Sequence, residues 1–247
     1  MKIIKNIIII CVLVLSVALL AGCNGPEPEP EPTKTIEEVK ADVIGAFNKY
    51  GVADNGAFKL VVKSNNAEST VDMVYNYEGG KIGINSLKAE LTNANGTMGV
   101  YVTDGKAYTN RYGASKTVID LDESEAEKIA NEYSFNQFNE YLILLLNNSF
   151  FASSTVTSEA DGVVKVVLNI GTYNIDNEPE NEVLTTIYDG IQEASSVTLE
   201  VSYSDAGLTG VKVAIEKDVV STIELQLLGT GTSEIAIQFP DFSDYTK

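Results

Sequence analysis

Apolar and polar residues alternate through the second half of the chain. Val197, Leu199 and Val201 alternate with Thr198 and Glu200. The same two-residue period returns three times, at residues 211–215, 223–227 and 235–239. Because successive side chains of a strand point to opposite faces, this pattern predicts four strands of an antiparallel sheet with one apolar face and one face in water.

Shorter alternating runs occur elsewhere in the body. They lie at residues 58–62, 71–77 and 163–170. Turn signals punctuate this part of the chain, at Gly79-Gly80, Asn95-Gly96 and Asp104-Gly105. Paired residues of this kind tolerate the backbone conformation of tight hairpin turns. Together the runs predict a meander, and a sheet of about nine to eleven strands in total.

Four helices are predicted among the strands, at residues 35–50, 123–132, 135–148 and 179–193. The residues placed to cap three of them are Thr35 with Glu38, Asp122, and Ser134 with Gln137. Residues 141–146 of the third helix are all apolar. A helix that is apolar on all sides must be buried against more than one partner.

The chain opens with the pattern of a secretory signal. Lys2 and Lys5 precede an apolar run of 14 residues, 7–20, which small residues follow. This run is shorter than the roughly 20 residues that span a bilayer, and no basic flank comes after it. We therefore expect residues 1–22 to be removed.

Leu20-Ala21-Gly22-Cys23 resembles the lipobox of bacterial lipoprotein signal peptides. The resemblance implies cleavage before Cys23, acylation of its thiol, and a protein held by lipid on the extracytoplasmic face of the bacterial cell membrane. The alternative is an ordinary secretory signal with an incidental cysteine. Cys11 lies inside the removed segment.

Residues 23–34 are predicted to form a lipidated cysteine followed by a stalk. Prolines and glutamates alternate between Pro26 and Pro32, which fixes the backbone in an extended form and adds charge repulsion. At about 3.1 Å per residue, this stretch holds the body roughly 20 Å from the acyl group. Residues 35–247 are predicted to form one domain.

Composition excludes several kinds of chemistry. The chain has no His and no Trp, and its two cysteines lie at or before position 23, so His-dependent catalysis, His metal sites and a disulfide framework are excluded. A net charge of −18 opposes binding to nucleic acid, whose backbone is neutralised by basic residues. We expect a monomer without cofactor.

Acidic residues offer only weak candidates for a site. Asp176, Glu178, Glu180 and Glu182 alternate ahead of a predicted helix, but they lack the glycine and the spacing of a calcium-binding loop. A solvated helix start, where the dipole favours acids, explains them. Paired carboxylates for a glycosidase arise by accident among 35 acidic residues. We therefore predict neither a metal site nor an enzyme.

The predicted fold class is α+β and mainly β, with a curved antiparallel sheet and helices on its apolar side. The order of helix, meander, helical insert and second meander, with the phrase Tyr101-Val-Thr-Asp-Gly-Lys-Ala-Tyr108, resembles the LolA/LppX-like lipoprotein family. That resemblance implies a half-open β-barrel with helices across its concave face, which holds the acyl chains of lipids or lipoproteins.

The resemblance thus implies a carrier of a lipid or other apolar ligand. The residues expected to line its cavity are Leu142, Leu145, Leu199, Val201, Val213 and Leu225. The alternative is a surface structural or protein-interaction domain whose core is filled and takes no small ligand. A transporter's solute receptor fits less well, because such receptors have two α/β lobes.

Overall fold

Eleven antiparallel strands form one sheet in the part of the chain that the computed structural model describes, namely residues 33–78, 83–139, 142, 148–174, 189–231 and 233–247. The strands are β1 (Asn55–Ser64), β2 (Ala67–Glu78), β3 (Gly83–Asn93), β4 (Gly96–Thr103), β5 (Lys106–Arg111), β6 (Ser115–Asp120), β7 (Ser154–Ala160), β8 (Val163–Leu168), β9 (Ser196–Ser204), β10 (Gly207–Glu216) and β11 (Val220–Gly231). Their order is β6-β5-β4-β3-β2-β1-β11-β10-β9-β8-β7. The prediction of a mainly β, α+β fold is confirmed.

The helices of the described residues are short apart from the first. They are α1 (Ile36–Val52), α2 (Glu123–Glu132), α3 (Phe135–Asn139) and α4 (Asn148–Ala152), with a 3-10 turn at Ile170–Thr172. Residues 189–192 are also helical. Among the described residues, no helix combines the length and the apolar character needed to cross a bilayer.

Two of the predicted caps form. The Thr35 hydroxyl accepts from the Glu38 main-chain N–H at 3.3 Å, and the Glu38 carboxylate accepts from the Thr35 N–H at 2.8 Å. Asp122 and Glu125 make the same reciprocal pair at the start of α2. These contacts satisfy donors that the first helical turn leaves free, and both helices begin where the sequence predicts.

The prediction for the third helix is wrong in part. The Ser134 hydroxyl donates to the carbonyl of Asn131, and the Gln137 N–H donates to the main-chain carbonyl of Ser134, so the expected side-chain cap is not made. Helix α3 ends at Asn139, and Leu142 lies in a 3-10 turn. Residues 140, 141 and 143–147 lie outside the described residues, as do most of the predicted helix 179–193 and the turn at Gly79-Gly80.

The contacts of the chain fall into two compact units, while the prediction of one domain over residues 35–247 stays a prediction. The described residues of the first unit are 33–46, 62–67, 142, 148–174 and 189–224. Its buried apolar residues are Val39, Val43, Val62, Leu142, Phe150, Phe151, Val164, Val166, Leu168, Tyr173, Ile191, Val197, Leu199, Val201, Val211 and Val213.

The second unit has an aromatic core. Its described residues are 47–61, 68–78, 83–139, 225–231 and 233–247. The ring of Phe135 lies 5.7 Å from that of Phe47, 5.2 Å from that of Tyr50 and 5.3 Å from that of Phe58. Such offset and edge-to-face contacts add to the gain from burial. The ring of Phe138 of α3 also lies 5.4 Å from that of Phe58, so two rings fix this short helix.

The predicted turns at Asp104-Gly105 and Asn95-Gly96 form where the sequence places them. Asp104 and Gly105 both have positive φ, 52° and 68°, and join β4 to β5 as a type I′ turn does. The Asn95 N–H donates to the Asn93 side chain at 2.9 Å in the turn before β4. These hairpins hold the meander in register.

The predicted strand at residues 235–239 is wrong. Residues 233–247, called the strap below, run as irregular chain against strands of the second unit. Ile235, Ile237 and Phe239 alternate with exposed residues, so the two-residue period is present without strand pairing. Asn76 takes the place of a neighbouring strand, because its side chain accepts from Ile235 N–H at 2.7 Å and donates to Ile235 C=O at 2.9 Å.

Candidate functional site

Three neighbouring strands of the first unit present an aliphatic face. In the ladders joining β8, β9 and β10, the directly opposed residues are Val164, Val201 and Val211 in one row and Val166, Leu199 and Val213 in the next. Each of these six exposes at most 1% of its surface. The face is therefore a continuous apolar surface, as the alternation of the sequence predicts.

The opposite face of the same strands is polar. Glu200 stands between Lys165 and Lys212 in one cross-strand row, and Lys212 Nζ lies 2.9 Å from the Glu200 carboxylate. Opposite charges paired across strands are weakly stabilising. The two faces thus separate the apolar and charged residues of β8, β9 and β10.

Elements outside the strands contribute buried side chains to the first unit, which also contains the aliphatic face. Phe150 and Phe151 of α4 expose 0% and 3%, and their rings meet edge to face at 5.6 Å. Tyr173, after the 3-10 turn, lies 6.2 Å from Phe150. The remaining buried residues of the first unit outside the strands are Val39, Val43, Leu142 and Ile191. Because the aliphatic face is itself buried, side chains from outside its strands must cover it, and this set is called the cover below.

The structure brings together some of the predicted ligand residues. Leu199 and Val213 are directly opposed, and Val201 lies in the adjoining row. Leu142 is fully buried in the same unit. Leu225 is also buried but belongs to the second unit.

Two other predicted residues, Cys23 and Leu145, lie outside the described residues.

Ligand access to this face requires the cover to move. A side chain with 0% exposure has no space the size of a water molecule beside it, and Leu142, Leu199 and Val201 all have that value. Cores packed this closely leave few voids. An apolar ligand reaches Leu199 only by displacing a side chain that covers it.

A polar clamp holds the chain where the predicted stalk meets the body. One carboxylate oxygen of Glu159, at the end of β7, accepts from Thr33 N–H at 2.8 Å, Thr33 Oγ1 at 2.6 Å and Lys34 N–H at 3.0 Å. These hydrogen bonds lower the pKa of Glu159. Sequence patterns miss this clamp because the partners are more than 120 residues apart.

Lys34 extends the clamp to α1. Its ammonium lies 2.9 Å from the Asp42 carboxylate and 4.5 Å from the centre of the Tyr203 ring, as in a cation–π contact. Burial and the neighbouring Asp42 raise the pKa of the Tyr203 hydroxyl. The root of the stalk is therefore attached to both β9 and α1 of the first unit.

The described ranges contain no group of three or more His, Cys, Asp or Glu placed to hold a metal ion. The acidic stretch from Asp176 to Glu182 lies outside those ranges. Elsewhere the shifted carboxyl groups have lowered pKa values because they accept hydrogen bonds, as for Glu38, Asp120 and Asp241. These three carboxylates act at a helix cap, an ion pair and a turn.

Comparisons with known proteins add no family. No protein-family model matches the chain, and a search of curated proteins finds no match.

Proposed function

We propose that this protein is a non-catalytic lipoprotein, anchored through Cys23 on the extracytoplasmic face of a bacterial membrane, that binds a lipid or other apolar ligand. The ligand lies against the aliphatic face of β8, β9 and β10, in contact with Leu199, Val201 and Val213. The eleven-stranded sheet is curved as in a half-open β-barrel, with the helices in its concave face.

The anchor is supported by the signal pattern and by the clamp. Between Cys23 and Thr33 the chain reaches about 30 Å if extended at about 3.1 Å per residue. Glu159 then fixes residues 33 and 34 to the body. A body suspended in this way stands clear of the headgroups. Removal of residues 1–22 takes away two of the 17 basic and none of the 35 acidic residues, so the anchored chain has a net charge of −20, which opposes contact with an anionic surface.

One observation carries the proposal of ligand binding: β8, β9 and β10 together present a fully aliphatic sheet face. Helix α4 has five residues and the 3-10 turn has three. Elements this short open locally at a lower free energy than a sheet does. An acyl chain has the same chemistry as the side chains that it replaces. The face thus accepts an apolar ligand without leaving a buried polar group unpaired.

A second candidate function is a surface structural or protein-interaction domain with a filled core. The full burial of Leu142, Leu199 and Val201 favours it. In this case Phe150 and Phe151 are permanent parts of the core, and the protein acts through its surface.

Binding of a fluorescent palmitate analogue separates the two functions, with native mass spectrometry for co-purifying lipid as a second measurement. The carrier predicts saturable binding at one site per chain. It also predicts that Phe151→Ala, which removes part of the cover, leaves binding in place or strengthens it. The matched control is Phe58→Ala, which removes a buried ring from β1 of the second unit and leaves the affinity unchanged.

A filled core predicts a different result. Phe151→Ala then lowers the free energy of unfolding by about 3–5 kcal/mol, and neither the wild type nor the variant binds the analogue. Absence of saturable binding by the wild type, together with absence of co-purified lipid, excludes the carrier function for acyl ligands.

A further inference from the structure

Strand β6 is an edge of the sheet, and the strap pairs with part of it. The Thr246 N–H donates to the carbonyl of Lys116 at 3.2 Å, and the Val118 N–H donates to the carbonyl of Thr246 at 3.0 Å. Thr117 and Thr246 thereby form an isolated parallel bridge. An edge strand otherwise offers its outward donors and acceptors to another chain. The strap occupies two of these groups.

Two ion pairs accompany the bridge. Lys116 pairs with Asp244, and Lys247 Nζ lies 2.6 Å from the Asp120 carboxylate. Lys116 and Asp120 are four residues apart on β6, so they share a face. The strap thus places a negative charge, Asp244, beside Lys116 of β6 and a positive charge, Lys247, beside Asp120.

Aromatic contacts hold the strap in place. The rings of Phe242 and Tyr108 are stacked at 3.9 Å with an angle of 11°, and Tyr245 meets both rings edge to face at 5.2 Å and 5.6 Å. Aromatic pairs of this geometry stabilise beyond their burial. Phe242 and Tyr245 are therefore the residues whose truncation releases the end of the strap.

We propose that the edge of β6 is a self-complementary dimerisation edge, which the strap covers in the monomer. Antiparallel pairing of two β6 strands centred on Val118 places Lys116 of each copy opposite Asp120 of the other. Lys116 O and Val118 N, which bind Thr246, already point to the free side of the strand. The resulting contact has two-fold symmetry, which closes the assembly at two chains.

The charges of the strap match those of a second β6. Asp244 stands where Asp120 of a second copy would meet Lys116, and Lys247 stands where Lys116 of that copy would meet Asp120. Cross-strand pairs of opposite charge favour this register, and like charges oppose it. The strap and a second copy therefore compete for the same backbone groups and the same two charges.

The test uses the full chain and sedimentation equilibrium. We expect the wild type to be monomeric and the Phe242→Ala/Tyr245→Ala variant to form a dimer. Adding Lys116→Glu to that variant places a carboxylate opposite Asp120 of the other copy at both ends, and weakens self-association by about tenfold. Adding Asp120→Lys as well restores opposite charges and restores the dimer.

A charge swap without strap truncation gives a second route. In the otherwise unchanged chain, Lys116→Glu with Asp120→Lys keeps two β6 strands complementary, but repels Asp244 and Lys247 of the strap. This variant should therefore dimerise more strongly than the wild type. The control is Lys212→Glu with Glu200→Lys, which swaps an ion pair of the first unit away from this edge and leaves the mass unchanged.

Circular dichroism confirms that each variant is folded, and amide hydrogen exchange at Thr246, whose N–H bonds to Lys116 only while the strap is in place, reports release of the strap. The proposal is overturned if the aromatic and charge-swap variants both stay monomeric. It is equally overturned if Lys116→Glu alone and the charge swap dimerise to the same extent, because association then does not depend on this register.

Discussion

Asn76 is predicted to be the main polar attachment of the strap to the sheet. This residue exposes 1% of its surface and makes three side-chain hydrogen bonds. Its amide donates to Ser86 Oγ at 2.8 Å and to Ile235 O at 2.9 Å, and its oxygen accepts from Ile235 N–H at 2.7 Å. Asn76→Ala removes all three bonds.

The size of the effect follows from the burial of these groups. A net hydrogen bond contributes about 0.5–1.5 kcal/mol, and a buried group left without a partner costs more. In the Asn76→Ala variant we expect the chain around Ile235 to shift outward, so that its N–H and C=O bond to water, which places the expected loss at about 2–3 kcal/mol. For a domain of this size, that loss lowers the melting temperature by about 5–10 °C.

Urea unfolding at neutral pH measures the loss, and Asn85→Ala is the matched control. Asn85 also donates to the strap, at 3.0 Å to the Glu234 carboxylate, but this contact is exposed. Its removal should change the free energy of unfolding by less than about 0.5 kcal/mol. Equal effects of Asn76→Ala and Asn85→Ala, or unchanged exchange of the Ile235 amide, would refute the assigned role of Asn76.

Three further predictions concern the anchor, alkaline pH and metals. Cys23→Ala should abolish membrane fractionation, whereas Cys11→Ala should not, and a membrane-bound Cys23→Ala variant with wild-type mobility contradicts lipidation. Burial raises the pKa of Tyr133 to about 12. The contribution of Tyr133 to stability is therefore complete below about pH 10 and is lost as the pH rises from about 10 to about 12. In urea titrations, Tyr133→Phe should lose about 2 kcal/mol less stability than the wild type over this pH range. EDTA should leave the melting temperature unchanged, and a loss reversed by Ca²⁺ would indicate a site at residues 176–182.

Local patterns predict the sheet well because they report contacts between chain neighbours. The alternation at Leu199 and Val213 identifies the buried face correctly, and the ladder between β9 and β10 places these two residues opposite each other. The cap at Asp122 depends on residues three positions apart. Such features need only the short-range geometry of strands and helix ends.

The strap shows where this reasoning stops. Alternation at Ile235, Ile237 and Phe239 indicates an extended chain with one face against the protein, and that much is observed. It carries no information about which groups satisfy the backbone. Asn76 does so from 159 positions away, and a side chain so distant leaves no trace in the local pattern.

The clamp at the stalk root is beyond prediction for the same reason. Glu159 is one of 35 acidic residues, and its sequence neighbours give no sign of a bond to Thr33. The residues predicted to line the cavity are a different case. Those that the structure describes are buried, and their contact with a ligand stays a prediction. Burial alone does not identify the group that covers them, because another side chain and an acyl chain remove the same apolar surface from water.

The length of an acyl chain determines whether it can replace the side chains that cover the aliphatic face. Displacing Phe150 and Phe151 into water costs about 3–6 kcal/mol, since full burial of such a side chain gains about 1.5–3 kcal/mol. Association costs at least about 4 kcal/mol more in lost freedom. Each buried methylene gains about 0.8 kcal/mol, so about nine to thirteen methylenes are needed before binding becomes favourable. A carrier should therefore bind a palmitate analogue and not an octanoate analogue, whereas a filled core should bind neither.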